Sequence, residues 1–248
     1  MGLKDLILAS IPKRFELMCR YNYNRIIGRL DPELRLIGKI VARRRRCVDV
    51  GANVGLYTYR FAQLFDAVEA FEPIHCCAQT IISSKLRNVR VHNSALSNRA
   101  GKGTLSVPPG RGQERFALAS AFNRFPSGDS VIVDLEVLDS FDFLDVDLIK
   151  IDVEGHEVEV LQGALQTIRA DFPVLLLEIE QRHHADRSIH EIFDFILNLG
   201  YSGYFYSDCR LRPLGEFSVM CHQEPKNLCT RKYVNNFLFR PAKCAALR

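Results

Sequence analysis

The stretch Val48-Asp49-Val50-Gly51-Ala52-Asn53-Val54-Gly55 decides the fold. A short apolar strand runs into a turn carrying two glycines. Tyr57, Phe61, Leu64 and Phe65 then follow at helical spacing. Strand, glycine turn and helix, in that order, form the opening unit of an open parallel sheet, where ligands bind beyond the carboxyl ends of the strands. Gly51 lets the backbone turn tightly and approach a ligand with no side chain between them. Asn53 stands where a small residue tolerant of left-handed geometry is useful.

Outward from this unit the same alternation continues. Residues 67–71 read as a second strand, and Val89 to Val91 opens a third. Asp147 to Ile151 reads as a fourth strand, followed by one helix carrying Val158, Leu161, Leu165 and Ile168. Val174 to Ile179 reads as a fifth. Ser188 and Glu191 form a capping box for a helix that shows Ile189, Ile192, Phe193 and Ile196 and ends at Gly200. Two late strands, near residues 203–206 and 234–239, close the chain. Strands alternating with helices imply an α/β protein with a doubly wound, mostly parallel sheet covered on both faces. The stretch Pro108 to Ser130 breaks the pattern and reads equally as an acceptor-side lid or a surface insertion.

Ahead of the first strand the signals are helical. Ser10 reads as a cap with Pro12 in the first turn, and Phe15, Met18 and Cys19 share one face. Asp31 reads as an N-cap with Pro32 at the first helical position, followed by Leu34, Ile37 and Val41. The chain therefore divides into a helical cap over residues 1–45 and a main domain over 46–248. The cap is basic: residues 1–46 hold 12 Lys/Arg against 4 Asp/Glu, whereas 47–248 hold 21 against 25. Such a segment either attracts anions, an anionic membrane surface among them, or presents a solvated helix face. Arg43 to Arg46 also mark a solvent-facing start to the strand.

Of 248 residues, 47% are hydrophobic and 25% charged, which excludes disorder, collagen and coiled coil for the bulk of the chain. No apolar run approaches the roughly 20 residues a bilayer requires. Secretory and lipidation signals are also missing from the pattern. With eight cysteines, too few for a disulfide scaffold, the sequence reads as a reduced, cytoplasmic, soluble protein. The cysteines lack zinc-site pairing, so their default reading is as small buried hydrophobes.

Glu72 lies 21 residues after Gly51, at the end of the second strand, where a carboxylate can accept both hydroxyl protons of a ribose. Turn plus acid reads as a site for an adenosine-containing cofactor. Ala52-Asn53 breaks the three-glycine spacing that a pyrophosphate needs, and Leu96 stands where a P-loop would need its first glycine. S-adenosylmethionine fits, having a ribose diol, no phosphate and an amino-acid tail that turn amides can hold.

Five blocks carry a resemblance: Val48 to Gly55, Phe71-Glu72-Pro73, Lys150-Ile151-Asp152-Val153-Glu154-Gly155-His156-Glu157, the following Leu161-Gln162-Gly163-Ala164, and Leu177-Glu178-Ile179. Together with Asn236-Phe237-Leu238-Phe239 they resemble the FkbM family of methyltransferases over roughly residues 40–240. The resemblance implies a class I, Rossmann-like methyltransferase with an antiparallel late strand. It implies action on hydroxyl groups of sugars or polyketides, with one branch methylating the fucosyl group of lipochitooligosaccharide nodulation signals at O2. It further implies that Asp49, Gly51, Asn53 and Gly55 flank the methionine part of S-adenosylmethionine, that Glu72 holds the ribose, and that Ser94-Ala95-Leu96 lies near adenine.

Methyl transfer to a hydroxyl calls for alignment and a base. Asp152, Glu154, His156 and Glu157 cluster where the fourth strand meets its helix. A helix N-terminus keeps an imidazole neutral, so His156 is the first choice of base and Asp152 the second; Glu178 would orient the base or bind acceptor hydroxyls. Glu154 and Glu157 read equally as first-turn carboxylates, and His183 and His184 as a solvated loop. No metal is expected, since the spacing fits no standard loop. The expected acceptor is a sugar-containing or other hydroxylated molecule. Nucleic acid is not expected as a partner; the alternatives are a nucleic-acid methyltransferase, suggested by Arg43 to Arg46, another small-molecule methyltransferase, and a non-catalytic S-adenosylmethionine-binding module.

Overall fold

The computed structural model describes residues 11–109, 128–208, 210–228, 230 and 232–242. Its centre is an eight-stranded sheet in the order β10-β9-β11-β8-β7-β1-β2-β3. The strands are β1 (Arg46–Val50), β2 (Ala67–Phe71), β3 (Val89–His92), β7 (Val146–Ile151), β8 (Val174–Glu178), β9 (Tyr201–Ser207), β10 (Arg210–Pro213) and β11 (Asn236–Pro241). The run from β8 to β3 pairs in parallel. β11 lies antiparallel between β8 and β9, and β10 antiparallel beside β9. The expected doubly wound, mostly parallel sheet with an antiparallel late strand is what forms.

Period-2 alternation sends the two halves of each strand to different cores. On one face Cys47, Leu148, Leu176 and Leu238 meet Leu34, Ile37 and Phe61. The last three come from α2 (Glu33–Ile40) and α3 (Leu56–Ala62). On the other face Val48, Ile149, Leu175 and Phe237 pack against Leu161, Ile168 and Ile192. These belong to α5 (Glu157–Gln162), α6 (Leu165–Asp171) and α7 (Ile189–Asn198). The capping box of α7 forms as read, Ser188 accepting from the backbone while Glu191 returns to the Ser188 N–H.

Several elements differ from the reading. The single helix expected after β7 is two, α5 and α6. A Cβ at Gly163, between them, would lie 2.1 Å from the Ser97 carbonyl oxygen, so the chain bends around that contact. A helix between β2 and β3, α4 (His75–Ser83), had no reading. Leu96, which breaks the P-loop spacing, and residues 101–104 after it belong to a second, three-stranded sheet of β4 (Ala95–Leu96), β5 (Gly101–Val107) and β6 (Asp129–Glu136). The middle of the stretch read as a lid, residues 110–127, lies outside the described residues, as does Ser10.

The first helix, α1 (Lys13–Ile26), turns a different face inward. It buries Glu16, Leu17 and Tyr21 against α3 and α4 and leaves Phe15 and Met18 outside. Asp31 does not cap α2; its Oδ2 accepts from the Tyr57 hydroxyl at 2.9 Å instead. Leu34, Ile37 and Val41 are buried as expected. Arg45 and Arg46 are not simply solvated either: Arg45 pairs with Asp145 and Asp147, and Arg46 with Glu69. Of the cysteines, Cys47 and Cys77 are buried and Cys221 is exposed.

Candidate active site

β2, β1, β7 and β8 end side by side, so their carboxyl ends make one continuous edge. The chain leaves β1 through a turn with three left-handed residues, Gly51 (φ 76°), Asn53 (φ 49°) and Gly55 (φ 89°). The N–H groups of Gly51 and Ala52 both donate to the Phe71 carbonyl at 3.0 Å, locking the turn onto β2. A Cβ on Gly51 would lie 1.8 Å from the Asp152 carbonyl oxygen. The turns after β1 and β7 thus meet main chain against main chain, which only glycine permits.

Glu72 is buried beside this turn. Its Oε2 accepts the Asn53 N–H and its Oε1 the Ile74 N–H, both at 2.7 Å. Burial nevertheless pushes its pKa up to about 7. The carboxylate forms part of the wall of a cavity of about 230 Å³, together with Gly51, Asn53, Ala95, Asp152 and His156. Leu96, Val133 and Leu135 supply an apolar wall from the small sheet. Six of the ten residues singled out in the sequence therefore converge here. Asp49, Gly55, Ser94 and Glu178 do not line the cavity. The Ser94 hydroxyl donates instead to Glu136. Gly55 lies against Ile81 of α4, whose Cγ1 would be 2.7 Å from an added Cβ.

Asp49 and Glu178 belong to a polar network beneath the edge. Register sets Asp49 of β1 opposite Lys150 of β7, and Lys150 opposite Leu176 of β8. Glu178, two residues on, shares that face. Lys150 is 2% exposed, with Nζ 3.0 Å from Asp152 Oδ2, 3.8 Å from Asp49 Oδ1 and 4.5 Å from the Tyr57 ring centroid. Burial alone would lower its pKa, but Asp152, Asp49 and Glu178 hold it above the ordinary lysine value. Thr58 donates to Asp49 Oδ2 at 2.6 Å, while Asp49 Oδ1 is buried without a hydrogen bond. Burial raises the Asp49 pKa. Burial, then repulsion by Asp152, raises that of Glu178 well above the usual range. Glu178 Oε1 accepts from Asn235 Nδ2 at 2.6 Å, because antiparallel β11 starts at this same edge.

His156 stands at the N-cap of α5, its Nε2 3.0 Å from Ser97 Oγ and its Nδ1 3.5 Å from Glu159. Burial lowers its pKa, favouring the neutral ring. His183 and His184 are not in a solvated loop. Both are buried, His183 lying 3.0 Å from Glu154 and His184 2.9 Å from Glu157. Glu157 also accepts the Gly155 N–H at 2.9 Å, beyond any service to a helix dipole. These contacts tie the β7 turn, with Glu154 and Gly155 at positive φ, to the chain after β8. Lys150, Tyr57, Asp31 and Asn235 are site-side residues that sequence reasoning passed over. Lys150 carried a signal, a lone cation in an otherwise apolar strand end.

The cavity suits S-adenosylmethionine on its own geometry. The glycine at 51 leaves no room for a side chain, the buried carboxylate at 72 faces a cleft of mixed polarity, and apolar walls stand where a purine would lie. The family described as the methyltransferase FkbM domain matches residues 49–202. Among solved structures, the methyltransferase FkbM from Methylobacillus flagellatus KT is 17% identical, with a TM-score of 0.51. The alignment covers 91% of this chain but 52% of that one, so this chain spans about half the length of that relative. An rRNA methylase from Streptococcus thermophilus is 11% identical over 85% of this chain and 95% of its own, with a TM-score of 0.45. A methyltransferase-like protein from Streptococcus mutans, solved with SAH, is 9% identical over 84% of this chain and 94% of its own, with a TM-score of 0.44. No curated protein sequence matches significantly. With the domain match running from Asp49 to Ser202, at the start of β9, this chain belongs to the FkbM family of S-adenosylmethionine-dependent methyltransferases.

Proposed function

We infer that the chain transfers the methyl group to a hydroxyl of a sugar-containing acceptor. The observation that carries this reading is the placement of Asp152, which lines the cavity, at the same strand edge as half-buried Glu178 and its partner Asn235. Carboxylates and amides with free lone pairs suit a polyhydroxylated acceptor, whose donors they would satisfy. Family membership supports hydroxyl chemistry through the resemblance already described. The narrowest acceptor worth testing is the fucosyl group of a lipochitooligosaccharide, at O2.

Gly51 and Asn53 would flank the methionine end of the cofactor, above buried Asp49. Glu72 would accept the ribose hydroxyls, and Ala95 with Leu96 would flank adenine. When bound, S-adenosylmethionine supplies a methyl group already activated on sulfonium. What remains for the protein is alignment and proton removal. His156, kept neutral by burial, would take the proton at a ring nitrogen as the acceptor oxygen attacks. Asp152, oriented by Lys150, is the alternative base.

The test uses labelled S-adenosylmethionine with a panel of free sugars, glycolipids and a fucosylated lipochitooligosaccharide. Label in a sugar O-methyl group is expected. His156→Ala should lower kcat by about 10²–10⁴-fold with cofactor affinity unchanged. Transfer to nucleic acid, or to no hydroxylated acceptor at all, would overturn the reading.

A further inference from the structure

The face of α1 that points away from the protein is apolar. Phe15, Met18, Cys19 and Ile26 recur there at helical spacing around Asn22, and Phe15 is 38%, Met18 37% and Ile26 79% exposed. This is the stripe that periodicity alone would assign to the core. Its surroundings are cationic: residues 13–29 hold five Lys/Arg against one acid, Glu16, which Arg20 and Lys13 already neutralise. Arg14 leans over the Phe15 ring, 4.5 Å from its centroid.

A second feature adjoins the stripe. A cleft of about 250 Å³ opens between α1, α2 and α3, and three arginines line it, Arg25, Arg35 and Arg60. Arg60 donates to Gln63 at 3.1 Å. Among the described residues, none of the three has an acidic partner within ion-pair distance. Three guanidinium groups converging without a carboxylate leave a positive field that a phosphate oxyanion would satisfy.

We propose that α1 lies in the interface of an anionic phospholipid membrane, with Phe15, Met18 and Ile26 inserted and Arg25, Arg35 and Arg60 holding a lipid phosphate. Charge complementarity selects this occupant. A second copy docking through the same face would bring like charges together across a two-fold axis. RNA would meet the arginines but gain nothing from Met18 and Ile26, which offer no stacking plane. A helix of 14 residues with an apolar face and basic flanks suits a position in the membrane plane. No helix among the described residues is long and apolar enough to cross a membrane. The proposal is independent of which acceptor is methylated.

The full chain should be sedimented with vesicles of pure phosphatidylcholine and with vesicles carrying about 30% phosphatidylglycerol. Partitioning at least about tenfold stronger on the anionic vesicles is expected, falling steeply as salt rises from about 0.05 to 0.5 M. Arg25→Ala, Arg35→Ala and Arg60→Ala should each weaken it about fivefold. The triple variant F15S/M18S/I26S should weaken it at least about tenfold at unchanged affinity for S-adenosylhomocysteine, which reports intact folding. Four results would overturn the proposal. One is no vesicle binding, and another is equal binding to neutral and anionic vesicles. The third is inorganic phosphate titrating the cleft with vesicles ignored. The fourth is a dimer in solution that the triple variant turns into a monomer.

Discussion

Glu72 gives the cofactor site a pH dependence that can be worked out in advance. Its carboxyl has a pKa of about 7 in the folded protein, against an ordinary value of 4.5, because burial outweighs two backbone N–H bonds. The ionised form accepts from both ribose hydroxyls, whereas the protonated form carries a donor on one oxygen and accepts more weakly, so cofactor binding favours release of the proton held below pH 7. Affinity for S-adenosylhomocysteine is therefore expected to be flat above about pH 8 and to fall below pH 7. The loss should reach about tenfold at pH 6 and approach tenfold per further unit. The sign for stability is the opposite. The folded protein binds this proton more tightly than the unfolded chain, so the contribution is fully present below pH 4.5 and is lost as pH rises through 7. The shift corresponds to about 3 kcal/mol at most. Glu33, also raised to about 7 by burial, adds to the stability trend, but it does not line the cavity and leaves affinity alone. Calorimetric titration of wild type and Glu72→Gln across pH 5.5–8.5 isolates the effect, since the ligand's own ionisations are common to both. The variant should bind about tenfold to a hundredfold more weakly at pH 8 and show no slope of its own. It should still fold: the amide leaves one of the two backbone N–H groups unpaired, about 1–3 kcal/mol, but it also removes the cost of a buried charge. Equal slopes in both proteins, or a flat wild-type profile, would refute the assignment of the diol to Glu72.

Three further perturbations test other parts of the site. Gly51→Ala should abolish measurable binding of S-adenosylhomocysteine by calorimetry, because the new methyl would sit 1.8 Å from the Asp152 carbonyl and force the two turns apart. Lys150→Met should destabilise the fold by about 3–5 kcal/mol at pH 8 in urea unfolding, by stranding buried Asp49. That cost should shrink towards pH 5 as the stranded carboxylates take up protons, whereas a pH-independent cost would mean packing alone is lost. Asp139→Ala should cost about 1–2 kcal/mol without changing cofactor affinity, since Asp139 accepts the Gln166 and Thr167 N–H groups and so caps α6 from outside it.

What the sequence made readable was what is local. The Gly51 turn, the left-handed Asn53, the Glu72 acid and the Ser188–Glu191 box each depend on neighbours a few residues away, or on a strand end that alternation alone predicts. What escaped depended on pairing between distant segments. Asp49, Lys150 and Glu178 become one network only because β8, β7 and β1 are adjacent in that order, which no single segment reveals. The small sheet escaped because β5 and β6 pair across a stretch whose composition looks like loop. Asp31 escaped because Asp-Pro is a sound capping signal, yet the Tyr57 hydroxyl competes for the same carboxylate. α1 illustrates a different limit: periodicity finds an apolar stripe, but it cannot say whether the core or something outside will cover it.

The two faces of α1 bind together what looked like separate parts of the chain. Its inner face brings Leu17 within 3.2 Å of where a Cβ would stand on Gly55, the residue that ends the cofactor turn. The cap thus packs against the turn that leads to the donor site and is not an appendage on it. α2 and α3 meanwhile roof the Lys150 network, and the roof makes its members interdependent: a lysine between two carboxylates matters little in water, whereas under cover the loss of one partner strands the others. Burial raises the pKa of Asp49 and Glu178 and so favours their protonated forms, which ties the protonation state of the network to the N-terminal helices staying seated. An outer face that engages a surface and an inner face that seals the active-site electrostatics therefore belong to one short helical layer. Removing that layer should cost the protein its chemistry as well as its address.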